Sequence, residues 1–178
     1  MGRDKALLPW GGSTLLDHAV SRLRAVCSEV RLLTGAEARY ADRGLPIATD
    51  VFTDAGPLGA VHAGLASLPA GRGALFLAVD LPWVVEGLLV ALIEASGGHD
   101  AAVPVHAFGA EPLCAVYGPA CLEPARRRLE AGERKMTSFW PDVRVRTFAE
   151  PEIARFGDPA ALFRNVNSPS DWAELSGR

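Results

Sequence analysis

The feature that most constrains this chain is an unbroken apolar stretch that ends in a single carboxylate. Six apolar residues, Ala74 to Val79, follow Gly73 and lead directly into Asp80, and Pro82 stops the stretch. A short apolar stretch bounded by glycine and proline is typical of a strand buried on both faces of a parallel sheet. In open α/β sheets, ligands bind beyond the carboxyl ends of the strands. Asp80 therefore either belongs to a metal or phosphate site or, as aspartates often do, caps a turn.

Helical and strand patterns alternate along the rest of the chain. A helix is predicted from Leu15 to Val26, capped by Ser13 or Thr14 and with Asp17 and His18 on its exposed side. Two closely spaced strands, 101–105 and 113–117, predict a hairpin-like excursion from the sheet. This alternation predicts a single domain over residues 1–178, of the Rossmann-like doubly wound α/β class. We expect a three-layer α/β/α sandwich with a mostly parallel sheet.

Three further segments bear on the site. The Gly56-Pro57 loop opens a helix of small residues that should pack closely on its neighbour, and a helix N-terminus suits phosphate. Residues 143–148 alternate as a half-exposed edge strand does. Leu162 to Asn167 is predicted to be a last short strand.

Composition excludes several classes of protein and partner. The formal net charge of -3 gives no reason to expect nucleic acid or an anionic membrane as a partner. Three cysteines without metal-type spacing argue against a disulfide framework and fit a reducing compartment. No stretch is long and apolar enough to span a membrane, and the N-terminus has no signal-peptide core. The cytoplasm is therefore the expected location.

Several short motifs occur in an order and at spacings that resemble one known family. They are Gly2–Leu8 (Gly-Arg-Asp-Lys-Ala-Leu-Leu), Asp50 with Gly56-Pro57-Leu58, Asp80-Leu81-Pro82, Glu111-Pro112-Leu113 and Asn165-Val166-Asn167-Ser168-Pro169. This set resembles the molybdenum cofactor guanylyltransferase family, called MobA, over nearly the whole chain. The first two motifs are shared with other nucleotidyltransferases of the same fold, whereas the Asn-x-Asn-Ser-Pro ending is more particular to the guanylyl branch. The resemblance implies transfer of GMP from GTP to molybdopterin, which gives the guanine dinucleotide form and releases pyrophosphate.

The resemblance also implies roles for individual residues. Lys5 matches a catalytic lysine that contacts the nucleotide phosphates, and Asp80 matches the catalytic aspartate that binds Mg²⁺. Asp50 and Gly56 match the nucleotide site. Asn165 and Asn167 match asparagines near the pterin substrate. The implied small-molecule partners are GTP and molybdopterin, and the implied protein partners are molybdoenzyme chaperones or other cofactor-biosynthesis proteins.

The largest departure from the family is at the N-terminus. The family opens with a strand and a Leu-Ala-Gly-Gly-x-Ser-x-Arg-Met-Gly loop, of which only Met1-Gly2 is present here. In the family, this segment supplies the central first strand and the backbone donors that cradle the triphosphate. Either the true start lies upstream of Met1, or the chain is short and catalytically impaired. The first explanation is favoured, because loss of a central strand exposes apolar faces and unpaired backbone groups.

Alternatives remain for the site residues and for the function. Lys5 could be a solvated lysine, Asp50 could cap a turn, and Asn165 and Asn167 could cap a helix start. The reaction could instead be cytidylyl or other nucleotidyl transfer on the same fold. The chain could also be a cofactor-binding protein without catalytic activity, since the phosphate loop is missing. Cys114 and Cys121 are expected to be buried rather than nucleophilic.

Overall fold

Helices and strands alternate along the chain, as the sequence predicts. The computed structural model describes residues 4–52 and 54–166. Its strands are β1 (Pro9–Trp10), β2 (Ser13–Thr14), β3 (Leu32–Leu33), β4 (Ile47–Ala48), β5 (Ala74–Leu77), β6 (Ala101–His106), β7 (Gly109–Ala110), β8 (Cys114–Tyr117) and β9 (Val145–Ala149). Its α-helices are α1 (Leu15–Val26), α2 (Gly56–Ala66), α3 (Glu86–Ala95), α4 (Leu122–Glu130), α5 (Glu150–Ile153) and α6 (Pro159–Leu162).

Helix α1 has the bounds that its apolar periodicity predicts. Thr14 is the N-cap, and its side chain accepts a hydrogen bond from the backbone N–H of Asp17. The prediction that Asp17 and His18 lie on the exposed side is wrong, since both are half-buried. The ring of His18 is hydrogen-bonded through Nε2 to the carbonyl oxygen of Pro82, 2.9 Å away. This contact ties α1 to the turn that follows β5.

The main sheet has the order β5-β8-β6-β7, and β9 pairs with β6 on the other edge. Strand β8 runs antiparallel to both β5 and β6, whereas β6 and β9 are parallel. Strands β5, β6 and β9 therefore share one direction, and the predicted hairpin-like excursion is the antiparallel insertion of β7 and β8. The predicted edge strand is also confirmed as β9.

Helices cover both faces of this sheet, which confirms the three-layer arrangement. One apolar cluster joins α2 and α4 to the sheet through Leu58, Phe76 and Leu129. A second cluster on the other face joins α3, α5 and α6 to it through residues such as Leu89 and Ile153. Burial of these two clusters removes apolar side chains from water on both faces of the sheet, which stabilises the packing of the helices against it.

Strand β5 departs from the prediction, because it is not buried on both faces. Leu75 and Leu77 are half-buried, and β8 is the one strand in the described ranges that pairs with β5. The backbone N–H of Ala78 donates to the carbonyl oxygen of Leu113, on the side of β5 that pairs with β8. Because backbone polar groups alternate in direction along a strand, those of Leu75 and Leu77 point to the other edge of β5. Strands β3 and β4 form a separate parallel pair.

A cavity of about 990 Å³ is lined by both β3 and β5. Its apolar lining includes Val30, Leu33, Leu75 and Leu77, and Cys27 lies at its wall. We call this cavity the β3–β5 slot. It separates the two strand groups, and it places the unpaired edge of β5 next to open space.

The predicted strand Leu162–Asn167 is wrong over the residues that the structure describes. Asp158 caps helix α6 through a hydrogen bond from the backbone N–H of Ala160, and residues 163–166 lie in neither a helix nor a strand. Asn167 lies outside the described residues. No helix within residues 4–52 and 54–166 has the length and apolarity needed to cross a membrane.

Candidate active site

Lys5 and Asp80 form an ion pair beyond the carboxyl end of β5. The Lys5 Nζ atom lies 2.5 Å from Asp80 Oδ2. Lys5 opens a one-turn 3-10 helix, Lys5–Leu7, which is capped by the side chain of Asp4. The lysine side chain is 44% exposed and the aspartate 17%, so an incoming phosphate can reach the ammonium group. The two residues assigned catalytic roles are therefore brought together.

Asp4 anchors this 3-10 helix to the loop that follows β3. The Tyr40 hydroxyl donates to Asp4 Oδ2 at 2.5 Å, and Arg39 Nη1 lies 3.4 Å from the same oxygen. Burial, together with the hydrogen bond to Asp4 and the charge of that residue, raises the pKa of Tyr40 to about 12. Tyr40 has a φ of 64°, a left-handed conformation that is uncommon for tyrosine. The sequence analysis missed this anchor, since no local pattern links residues 36 positions apart.

The backbone around Asp80 is held by a segment from far along the chain. The N–H of Val166 donates to the carbonyl oxygen of Asp80 at 3.0 Å. Val166 is fully buried, and the preceding residue, Asn165, is exposed. The structure therefore brings the segment that carries Asn165 next to Asp80. It gives no position for Asn167, which lies outside the described residues.

Asp50 lies two residues beyond β4, in a different loop. The backbone N–H of Asp50 donates to the carbonyl oxygen of Gly35. The Oδ1 atom of its side chain is buried and has no hydrogen-bond partner among the described residues. Burial raises the pKa of this carboxyl group, and the nearby His62 acts in the opposite direction. Across the described part of the chain, no hydrogen bond or ion pair joins Asp50 to Lys5 or Asp80.

Gly56 is the first residue of α2 and has a φ of 56°. A Cβ atom at this position would meet nothing within 4 Å, so the backbone conformation rather than space requires glycine. Farther along α2, a Cβ atom on Gly64 would lie 2.7 Å from the ring of Phe76. The predicted close packing of this helix on its neighbour is therefore confirmed. Pro57 has no backbone N–H, so the donors that the start of the helix can offer to a phosphate are the N–H groups of Gly56 and Leu58.

Asp80 can hold a divalent metal ion only together with other ligands. Within the described ranges, no group of three or more His, Cys, Asp or Glu side chains could hold a metal ion. Mg²⁺, however, is often held by one or two carboxylates with substrate phosphates and water completing its shell. A single carboxylate beside an ammonium group, at the end of a strand, fits that kind of shared site.

Cys114 and Cys121 do not provide a nucleophile. Cys114 and Cys121 are both fully buried, as predicted. Burial raises the pKa of the Cys121 thiol to about 12 and also raises that of Cys114. Neither thiol is therefore available as a thiolate near neutral pH.

Comparison with known proteins gives one consistent family. The family model described as a MobA-like NTP transferase domain matches residues 1–145. A probable molybdenum cofactor guanylyltransferase of Pelotomaculum thermopropionicum is 34% identical over 171 residues, which are 96% of this chain and 83% of that protein. A probable molybdenum cofactor guanylyltransferase of Opitutus terrae is 37% identical over 178 residues, covering 96% of this chain and 86% of that protein.

Solved structures agree on the fold. Molybdopterin-guanine dinucleotide biosynthesis protein A of Archaeoglobus fulgidus superposes with a TM-score of 0.80 at 20% identity, covering 99% of this chain and 93% of that chain. A 2-C-methyl-D-erythritol 4-phosphate cytidylyltransferase of Thermus thermophilus gives a TM-score of 0.67 at 19% identity, covering 98% and 94%. At these identities the likeness concerns the fold alone.

Proposed function

This chain belongs to the MobA-like NTP transferase family, and from that premise we propose that it transfers GMP from GTP to molybdopterin. The product is molybdopterin guanine dinucleotide, and pyrophosphate is released. The observation that carries the proposal is the Lys5–Asp80 pair, because a cation and a carboxylate of the kind that binds Mg²⁺ lie together beyond the carboxyl end of strand β5, where ligands bind in α/β sheets. The names of the relatives supply the identity of the two substrates.

The reaction needs positioning and charge neutralisation rather than a covalent nucleophile. A phosphate oxygen of molybdopterin attacks the α-phosphorus of GTP in line. The bond from that phosphorus to the oxygen bridging to the β-phosphate breaks, and its electron pair leaves with pyrophosphate. Lys5 acts as a point charge on the phosphates. Its exposed ammonium group can exchange its contact with Asp80 for a phosphate oxygen.

Asp80 is the residue that we assign to Mg²⁺. The chemistry that the ion supplies when bound is neutralisation of charge on phosphate oxygens. Asp80 itself is held in place by the hydrogen bond from Val166 to its backbone. Because its backbone is already fixed, the Asp80 carboxylate loses little conformational entropy when the metal and nucleotide bind.

The remaining residues divide between the two substrates. Asp50 and Gly56 are assigned to the nucleotide: the N-terminus of α2 offers free N–H groups, and the buried, unpartnered Oδ1 of Asp50 can accept a hydrogen bond. Asn165 and Asn167 are assigned to the pterin, whose ring and phosphate offer donors and acceptors that an amide can meet. The exposed position of Asn165 next to the Asp80 backbone supports this assignment.

We also propose that the β3–β5 slot seats one extended strand joined to the N-terminal side of Lys5. The unpaired edge of β5 and the apolar lining suit a strand, and Asp4 and Lys5 line the same cavity. A loop between such a strand and Lys5 would pass beside Asp80, where backbone N–H groups could bind the triphosphate. The domain over residues 1–178 would then be N-terminally incomplete.

The cell compartment and the protein partners follow from the same proposal. Three free cysteines fit the reducing cytoplasm, where we place the reaction. Proteins that receive the finished cofactor, such as molybdoenzyme chaperones, would be its protein partners.

Product formation tests this proposal directly. The purified chain is incubated with Mg²⁺, molybdopterin and GTP labelled at the α-phosphate, and labelled dinucleotide and pyrophosphate are quantified. We expect labelled dinucleotide with GTP and little with CTP, and orders of magnitude less product from Asp80→Asn than from the unchanged chain. Preference for CTP would favour the cytidylyl alternative. Binding of molybdopterin without transfer from either nucleotide would favour a cofactor-binding protein.

A further inference from the structure

The hairpin of β6 and β7 contains a nearly buried histidine that the proposed mechanism does not use. The His106 side chain is only 5% exposed. Its Nε2 lies 3.0 Å from Glu111 Oε1. The backbone N–H of Phe108 donates to His106 Nδ1 at 3.3 Å. The two ring nitrogens thus have one partner each, both supplied by the same hairpin.

These two contacts select one state of the ring. Because Nδ1 accepts from a backbone N–H, its proton is absent, and Nε2 carries the proton that it donates to Glu111. A ring held at both nitrogens cannot flip without breaking two hydrogen bonds. The plane of the His106 ring is therefore fixed by its own hairpin.

The fixed ring of His106 also packs against the segment 163–166, which contacts the backbone of Asp80. Phe163 stacks on His106 with the ring centroids 5.1 Å apart and the planes inclined by 8°. Three residues later, Val166 donates to the carbonyl oxygen of Asp80. Both Phe163 and Val166 are buried, so Asn165 lies on a short exposed span between two anchors.

From this chain of contacts we propose that His106 is a positioning residue for the pterin acceptor. His106 and Glu111 together orient the Phe163 ring, and this orientation determines the position of Asn165 beside Asp80. This inference rests on the proposed function, because the acceptor that Asn165 serves is the pterin. A buried polar pair such as His106–Glu111 adds little to the free energy of unfolding compared with apolar residues of similar size. Its effect is instead to hold the His106 ring in one orientation.

Two variants separate the hydrogen bonds from the stacking. His106→Phe keeps an aromatic ring against Phe163 but loses both contacts made by the ring nitrogens. Glu111→Gln keeps a hydrogen-bond acceptor for Nε2 and leaves the stacking in place, so it should rescue the geometry. His99→Phe is the matched control, because that histidine is exposed and contacts its own loop.

The readouts are the dissociation constants for molybdopterin and for GTP, measured separately, with the urea midpoint as the test of folding. We expect His106→Phe to weaken molybdopterin binding by roughly tenfold to a hundredfold, as misplacement of a binding group does. GTP binding and the urea midpoint should change little, and Glu111→Gln should bind molybdopterin much as the unchanged chain does. A merely structural role would instead lower the urea midpoint and weaken both ligands together.

Two outcomes overturn the inference, and they can be told apart. If the unchanged chain binds molybdopterin and His106→Phe binds it equally well, the positioning role is wrong while the proposed function stands. If the unchanged chain does not bind molybdopterin at all, the proposed function fails and the role of His106 fails with it.

Discussion

Lys5 Nζ lies 2.5 Å from Asp80 Oδ2, although the two residues are 75 positions apart in the chain. The pair therefore joins the 3-10 helix at the start of the described chain to the turn that follows strand β5. Both partners are groups that bind phosphate or metal ions in other contexts. In the absence of substrate, each neutralises the charge of the other.

Replacing Lys5 should impair function far more than stability. We expect Lys5→Met to lower kcat/KM for GTP by roughly two orders of magnitude, because a charge on the transferring phosphoryl group is lost. The free energy of unfolding should fall by less than about 1 kcal/mol, since the lysine is substantially exposed. Steady-state kinetics and urea unfolding measure the two effects. Lys135→Met, at the other lysine of the chain, is the control and should leave both unchanged.

Replacing Asp80 should abolish the dependence on metal. Asp80→Asn keeps the size of the side chain and the backbone bond from Val166, but removes the charge that a divalent ion needs. Turnover should fall by orders of magnitude at every Mg²⁺ concentration, as measured by release of pyrophosphate. Glu94→Gln, on the exposed side of α3, should titrate with Mg²⁺ like the unchanged chain. Near-normal turnover of Asp80→Asn would remove this residue from the metal site.

The free energy of unfolding should decrease as the pH falls, because His62 is buried. Burial, helped by the charge of Arg126, lowers the pKa of this histidine below its usual value near 6.5. The unfolded chain therefore binds a proton at a higher pH than the folded chain. Stability is then highest above about pH 6.5 and decreases as the pH falls from there through the lowered pKa.

A variant that lacks only this histidine isolates its contribution. In His62→Leu, the urea midpoint should change less between pH 7.5 and 5.5 than in the unchanged chain, whereas His99→Leu should keep the full change. The raised pKa of Asp50 acts in the opposite direction, because its protonation favours the folded state as the pH falls through that pKa. Equal changes in the urea midpoint for His62→Leu and the unchanged chain would contradict the role of His62.

An added strand and loop should fill the β3–β5 slot and strengthen nucleotide binding. We expect the 178-residue chain to bind Mg-GTP weakly, and a chain extended before Met1 by an apolar strand and a Leu-Ala-Gly-Gly loop to bind it more tightly in calorimetry. Cys27 lines the slot and reports on its filling. Its thiol should react with a maleimide more slowly in the extended chain, whereas Cys114 and Cys121, which are buried, should react in neither. Tight GTP binding by the shorter chain would contradict this account.

The sequence correctly predicts those helices and strands that are determined by neighbouring residues. Leu15–Val26 has its predicted bounds because apolar periodicity and the Thr14 cap agree with the packing. The predicted strand at Leu162 was wrong, although Asp158 followed by Pro159 is a recognisable start of a helix. That cap signal is local and is present in the sequence.

The rest of the site depends on contacts that no local pattern contains. The bonds from Tyr40 to Asp4 and from His18 to Pro82 join residues that only the folded chain brings together. Strand β5 was expected to be buried on both faces because its six apolar residues suit a central strand. Composition cannot tell whether a neighbouring strand is present, and here the β5 edge faces the slot instead.

The two contacts made by Asp80 also bear on how the chain folds. Its side chain binds Lys5 and its backbone binds Val166, so residues from near both ends of the described chain must reach the same point. Contacts of such large sequence separation carry a high loop-closure entropy and are formed slowly. The helices and the main sheet can therefore pack without these two contacts, whereas the arrangement around Asp80 exists only in a chain in which both have formed.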